Sequence, residues 1–527
     1  MTITRCPLLL ALCLLSGAVF ADPTPPAPTK AEQYFAQGQF EVARQAFNDA
    51  SQDESNDIAP RLGLIRTLLR MDRWPDAVTE AQAATQKFPA NADAHGLLAL
   101  ALIRAGWLPP YADEARQSLT LDPQDYWGMI ASGRSADWDA KREDAAALYR
   151  KASALHPELP DAWLGLLQTV SGKNASQERQ AASAAYVKID PHGQPHDREW
   201  ERLNDLHVNA AAYANSFGNA PLFQRITSDS ELLPSEPLTL PLQFAGDYIL
   251  FPVTINDHRF RLIFDTGVGR NVILSQKAAK SLHLTPLAHS FMHGLTGREN
   301  SDVLKAETMT LGALAYHSIV ISTMSQSPQD ADGIFGGNIL RDLVVTIDFS
   351  AATATFASGP NAAAPPAIAG DRVAALPFRL YHGHLFLSVV VNSRPLWALL
   401  DTGDYQSHFS LRVARELLKD VPAKQVRSGS ISQAAIGNTE KHIDFIASRQ
   451  EFNIILTENP PASIPVPTFG KSEVDRELSP GEDFEVGLML GMSSLTYASR
   501  LTFDYPRRLL TFEYKDPDAL PIGAKKK

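Results

Sequence analysis

Two Asp-Thr-Gly triplets, Asp265-Thr266-Gly267 and Asp401-Thr402-Gly403, lie 136 residues apart, and each closes an apolar run that is itself repeated. The match is ungapped from Leu240 to Gly267 against Leu376 to Gly403. Leu240-Pro241 recurs as Leu376-Pro377, Asn256 as Asn392, Phe260 as Leu396, and Leu262-Ile263-Phe264 as Ala398-Leu399-Leu400. A lone triplet would mean only a turn, because Asp and Gly are turn formers. A strand and turn written twice without gaps constrain the chain to two similar halves. Halves folded against each other would bring one carboxyl from each to a common point, where the two can divide the roles of acid and base.

The texture around the triplets is that of β-structure. Tyr248 to Ile255 is β-branched and aromatic, Asn256-Asp257 makes a turn, and Arg259 to Phe264 returns as a second strand. Thr346 to Phe349 and Ala354 to Phe356 read as a further hairpin, with counterparts in Thr502 to Tyr505 and Leu510 to Phe512. The offset has grown there to 156, and the Pro-rich stretch Asn459 to Asp483 is expected to hold the additional residues as a surface loop. Ser358 to Gly370, rich in Ala, Pro and Gly, separates the halves, which are expected at 238–357 and 371–516.

Upstream the composition changes to Ala, Leu, Gln, Glu and Arg, the residues of helices. Pro89, Pro123, Pro157 and Pro191 recur at one spacing, as do Ala43, Ala77 and Ala145, with Tyr111 in the remaining slot. This helical period ending in proline resembles the tetratricopeptide repeat, whose unit is about 34 residues. The resemblance implies an α-solenoid over 30–220, in about four units with the last degenerate, and a concave surface suited to a protein partner. A spacer or lid-supporting scaffold is the other reading. Ala210 to Asn219 is expected as a capping helix and Ser228 to Pro237 as a linker. The fold class is therefore multidomain: an α-solenoid followed by two tandem β-barrel halves.

Arg5, the short apolar core Leu8 to Leu15, and Val19-Phe20-Ala21 read as a signal peptide over 1–21, predicting an exported chain, periplasmic or secreted. The apolar core is too short for a stable membrane span. Both cysteines, Cys6 and Cys13, fall inside this segment, so neither a disulfide nor a thiolate site is expected downstream. A net charge of −11 disfavours nucleic acid as a partner.

Each triplet is followed later by two apolar residues and a glycine: Ile334-Phe335-Gly336 in the first half, Met489-Leu490-Gly491 in the second. Together these motifs resemble the retropepsin-like and pepsin-like aspartic proteases. The resemblance implies a catalytic pair, Asp265 and Asp401, acting on a peptide or protein substrate through a bound water, with no metal and no cofactor. Thr266 and Thr402 would cross-brace the two loops, Gly267 and Gly403 would let them turn tightly, and Gly336 and Gly491 would close the supporting strands. A flap is implied at His293-Gly294-Leu295-Thr296-Gly297, with Ser428-Gly429-Ser430 a poorer candidate in the second half. Val268 and Asp404 depart from the family's usual Ala or Ser after the triplet, and Asp404 adds a carboxyl that either disturbs the pair or points to solvent. A non-catalytic peptide-binding or scaffold protein that keeps the fold is the rival reading. Pairing of each half with its copy on a second chain also stays open.

Two other patterns carry less. His382-Gly383-His384 would place two imidazoles on one face of a strand without a third ligand. Asp330-Ala331-Asp332-Gly333 lacks the remaining oxygens of a calcium loop.

Overall fold

The computed structural model describes residues 29–52, 57–189, 207–208, 229–230 and 237–515, except for 72, 106–109, 139–140, 170–174, 270, 295–296, 328–329, 341–342, 359–365, 370, 382, 434–440, 459–460 and 472–485. The signal-peptide segment 1–21 and the capping helix expected at Ala210 to Asn219 lie outside the described residues.

The helical region is a chain of antiparallel pairs. They are α1 (Lys30–Ala36) with α2 (Phe40–Ser51), α3 (Ala59–Arg70) with α4 (Trp74–Lys87), and α5 (Ala92–Arg104) with α6 (Pro110–Leu121); then α7 (Tyr126–Trp138) with α8 (Arg142–Leu155), and α9 (Pro160–Thr169) with α10 (Ala175–Ile189). Pro89, Pro123 and Pro157 fall just beyond α4, α6 and α8, where a residue without an N–H and with a ring in the way of the next turn stops the helix, while Pro191 lies outside the described residues. Proline also opens α3 and α4 within their first turn, where its missing N–H costs nothing. Ala43, Ala77 and Ala145 are fully buried, so the small side chain at the repeated position is what allows close helix contact. Tyr111 fills the odd slot and is also buried, its hydroxyl bonded to Ser135 at 2.9 Å and its ring edge-on to Trp138.

Described helix runs to Ile189, and between 190 and 236 only 207–208 and 229–230 are described. His207–Val208 (β1) and Asp229–Ser230 (β2) are instead short strands. β1 pairs with the later strand Ala288–Gly294, and β2 pairs with Leu314–Met324. The stretch expected as array and linker thus contributes to the first β-half.

That half continues through β3 (Leu238–Pro241), β4 (Gln243–Ala245), β5 (Tyr248–Ile255), β6 (His258–Asp265), β7 (Val272–Ser275), β8 (Ala288–Gly294), β9 (Gly297–Leu311), β10 (Leu314–Met324), β11 (Gly333–Gly336), β12 (Leu343–Asp348) and β13 (Thr353–Ser358). The second half repeats the plan as β14 (Arg372–Tyr381), β15 (His384–Val391), β16 (Arg394–Leu400), β17 (His408–Ser410), β18 (Val426–Gln433), β19 (Lys441–Glu458), β20 (Pro461–Lys471), β21 (Val486–Leu490), β22 (Arg500–Asp504) and β23 (Leu509–Tyr514). Helix α11 (Gln276–Lys280) follows β7 with Ser275 as its cap, and α12 (Leu411–Leu417) follows β17 with Ser410 as its cap, each serine oxygen accepting an amide at 3.2 Å. α13 (Met492–Leu495) follows β21.

Two sheets result: ten strands of the first half form one, and thirteen form the other, which runs through the second half and continues as β14-β23-β22-β12-β13-β3, a stretch built from both halves. At its centre β12 lies antiparallel to β22 with Thr346 opposite Thr502, their hydroxyls 3.1 Å apart. These two residues are counterparts in the repeat, so a local twofold axis passes between them. One apolar core runs from Ile249 to Tyr514 through both halves. Buried Arg500 holds Glu513 with two hydrogen bonds of 2.6 Å across the shared sheet, which keeps the buried charges paired. The halves pair within one chain, and the geometry of the pair below requires no second copy.

One local expectation is corrected. Asn459 to Asp483 is not all surface loop: Pro461 to Lys471 is strand β20, paired along β19. His384 opens β15 behind the turn from β14, in which Gly383 has φ +84°. His382 itself lies outside the described residues.

Candidate active site

Each triplet sits where an apolar strand runs out between two others. β6 lies parallel to β11, with Asp265 opposite Gly336. β16 lies parallel to β21, and the Asp401 amide donates to the Leu490 carbonyl at 2.9 Å. The glycine ends are anchored in turn: Gly336 donates to the Asn271 carbonyl at 2.9 Å, and Gly491 to the Ser407 hydroxyl at 3.0 Å. A side chain on Gly491 would collide with the Asp404 and Gln406 backbone, which explains the residue type there.

The two threonines brace the loops reciprocally. The Thr266 amide donates to Thr402 Oγ1 at 3.0 Å, and the Thr402 amide to Thr266 Oγ1 at 3.1 Å. Each hydroxyl then donates across the axis, Thr266 to the Leu400 carbonyl at 2.7 Å and Thr402 to the Phe264 carbonyl at 2.9 Å. Both threonines are buried, so these four bonds satisfy groups that water cannot reach.

The aspartates meet beneath this brace. Asp265 and Asp401 share a side-chain hydrogen bond, Asp265 buried and Asp401 half-buried. Each carboxyl also accepts its own glycine amide at 2.8 Å, Gly267 to Asp265 and Gly403 to Asp401. A Cβ on Gly267 would overlap the Asp401 carboxyl, and one on Gly403 the Asp265 carboxyl. Only glycine leaves room for the opposite acid.

Electrostatics follow from this closeness. Burial pushes Asp265 up to about 6, partly offset by its hydrogen bond from Asp401. Burial, then the neighbouring Asp265 and Asp404 charges, push Asp401 well above the usual carboxylate range. Two carboxyls this close do not ionise together, so the pair keeps one proton between them.

Asp404 does not point to solvent. Its Oδ1 accepts the Gln406 amide at 2.9 Å, and its Oδ2 lies 3.9 Å from His408 Nδ1. Its charge is among the groups that raise both members of the pair. Asp404→Asn, which keeps the turn oxygen and removes the charge, is expected to move both limbs of an activity–pH profile to lower pH. A profile unmoved by the substitution would exclude that coupling.

Several residues here had no role assigned from sequence. Ser407 bonds Ser494 at 2.6 Å and accepts the Gly491 amide, while Ser493 accepts the Ser407 amide at 3.0 Å, so a serine cluster ties the second loop to α13. His408 is buried with Nδ1 on the Gln406 carbonyl at 2.8 Å, and burial with the nearby Lys471 charge lowers it to about 4. Tyr248 is half-buried; burial and then the Asp404, Asp401 and Asp265 charges raise its phenol. The first-half turn oxygens have structural partners: Asp332 accepts the Arg261 amide at 2.8 Å, and the Asp330 carbonyl accepts the Arg261 guanidinium at 3.2 Å.

At the flap position β8 and β9 form a hairpin closed by the pairing of Gly294 with Gly297, while Leu295 and Thr296 lie outside the described residues. The second half has its own hairpin, β18 with β19, closed by Gln433 and Lys441. Ser428-Gly429-Ser430 is thus mid-strand rather than a tip. Among the described residues no group of three or more His, Cys, Asp or Glu could hold a metal ion. No helix among them is long and apolar enough to cross a membrane.

Two families of known proteins match parts of this chain. The aspartyl protease family matches residues 251–339, within the first half, and the tetratricopeptide repeat family matches residues 34–101. Among solved structures, a thermophilic TPR protein of Thermus thermophilus is 20% identical with a TM-score of 0.26, the match covering 31% of this chain and 89% of that one. Two structures of MamA are each 16% identical with a TM-score of 0.21, covering 31% of this chain and 94% or 86% of theirs. No curated protein sequence matches.

Proposed function

We propose, for a chain that joins tetratricopeptide repeats to an aspartyl protease domain, the activity of an exported aspartic endopeptidase whose catalytic pair is Asp265 and Asp401. The observation that carries this reading is the hydrogen bond between the two carboxyls under the reciprocal threonine brace. A water between the acids would lose a proton to the charged carboxylate as its oxygen attacks the amide carbon. The neutral carboxyl would donate its proton to the carbonyl oxygen. Collapse of the tetrahedral intermediate then breaks the C–N bond, and the amine leaves with a proton returned by the acids. Protein catalysis here consists of orienting water and holding one proton at a dry site.

Substrate specificity would come from the two hairpins, β8–β9 and β18–β19, one in each half. The helical array would recruit or orient a protein partner or the substrate itself, on a concave surface of the kind that stacked repeats form. Export rests on the first 21 residues as read from sequence.

The test is cleavage of a peptide library by the processed chain across acid to neutral pH. Turnover that a statine-type peptide blocks, and that disappears in Asp265→Ala and Asp401→Ala alike, supports the endopeptidase. Peptide binding that persists in both variants without turnover would favour the rival reading, a recognition groove.

A further inference from the structure

The strand that delivers Asp401 is shared between two cores. Along β16, Leu396, Ala398 and Leu400 face the core of the β-halves, while Trp397 and Leu399 face the core of the helical array. Phe386 of β15 and Val486 and Met489 of β21 join them on the array side. The Trp397 ring meets Trp138 of α7 edge-on, with centroids 5.5 Å apart and planes at 80°. Its indole Nε1 donates to the Ile103 carbonyl of α5 at 3.4 Å. All five β-half residues on this face are buried to 1% exposure or less. Because Asp401 follows β16 directly and its amide bonds Leu490, next to Met489, the array packs on both strands that fix this carboxyl.

The first half supplies an internal control. The repeat places Arg261 where the second half has Trp397, and Arg261 is exposed, tied to Asp330 and Asp332 of its own half. Ile263, the counterpart of Leu399, packs only in a small cluster with Leu250 and Ala331. One half thus covers the back of its catalytic strand by itself, and the other uses the array. The helices involved have a second exposure. Leu100 and Arg104 of α5 and Trp127 and Arg134 of α7 line a cavity of about 470 Å³ in the array.

We propose that Trp397 is a positioning residue, through which the helical array sets the geometry of the Asp401 loop and not only the location of a partner. The kinetic arm of the test rests on the endopeptidase reading; the exchange arm does not.

Full-length Trp397→Ala, Trp397→Phe and Trp138→Ala are compared with wild type. Loss of the aromatic contact from either side is expected to lower kcat about tenfold with KM changed less than about twofold, since a small misplacement of a catalytic group costs rate rather than binding. The pH limbs should move in the same variants. Trp397→Phe keeps the edge-on contact and should restore kcat and pH profile to near wild type. The double alanine variant should be no worse than either single one, as for two residues on one path. Hydrogen exchange at the amides of Leu399 to Gly403 should speed up in the alanine variants, while that at Leu262 to Phe264 stays unchanged. If Trp397→Ala does not fold, Trp138→Ala carries the test, because it leaves both β-halves unaltered. A fall in melting temperature with kcat, KM, pH limbs and exchange at Asp401 all as in wild type would overturn the proposal. Should wild type show no turnover, the endopeptidase reading fails, and exchange alone still decides this one.

Discussion

Asp401→Asn is expected to abolish turnover while making the protein more stable at neutral pH. The variant removes the one site where the pair can alternate between acid and base, a contribution of about 10²–10⁴-fold or more in rate. Stability moves the other way because the native pair holds a proton that the unfolded chain would release. Burial and the adjacent Asp265 and Asp404 charges raise the Asp401 carboxyl well above its ordinary 3.8. For a carboxyl raised in the folded state, the stabilising contribution is fully present below about pH 4 and is lost as pH rises through the folded value. For Asp265 that window runs from about pH 4 to about 6. Asparagine carries no such penalty, so a gain in stability is expected at about pH 8 and little or none at about pH 4. Urea unfolding of both proteins at the two pH values checks the sign. An equal gain at both would mean that the effect is not electrostatic, and turnover within about tenfold of wild type would remove Asp401 from the chemistry.

Thr402→Val should damage both fold and site. Valine matches the shape of threonine but leaves the Thr266 amide without its acceptor and the Phe264 carbonyl without its donor, both in a buried setting. Each unsatisfied buried group costs about 1–3 kcal/mol, so a loss of about 2–6 kcal/mol is expected. Because the brace spans the axis, Thr266→Val should cost a similar amount, and the double variant less than the sum of the singles. Thr402→Ser keeps the oxygen and should recover most of the stability and the rate. Chemical unfolding and turnover on one peptide read both. A valine variant as stable as wild type would show that the brace is not what holds the loops.

The duplication made much of this architecture legible. Apolar runs ending in Asp-Thr-Gly mark β6 and β16, and the repeat implied that their carboxyls could meet. Periodic prolines marked the helix ends because proline acts locally, through its missing N–H and its ring. The misreadings have equally local causes. β20 carries Pro461, Pro465 and Pro467, which read as loop, yet it pairs with β17 only through Gly470 and Lys471. Upstream of these β19 is its one partner among the described strands, and an edge strand tolerates proline. β1 and β2 are two residues each, too short to show any alternation. Ser407 has no counterpart hydroxyl in the first half, where Asn271 and Val272 stand at that place, so the repeat itself hid the serine cluster. The Trp397 contact with α5 and α7 joins residues far apart in the chain and leaves no local pattern.

The most direct measurement is active-site titration of the purified, processed chain with a tight-binding statine-type peptide, with molar mass determined by light scattering in the same buffer. A monomer that is fully silenced by one inhibitor per chain is the predicted result, since each chain supplies both acids. One inhibitor per two chains, or no binding that depends on Asp265 and Asp401, would contradict it.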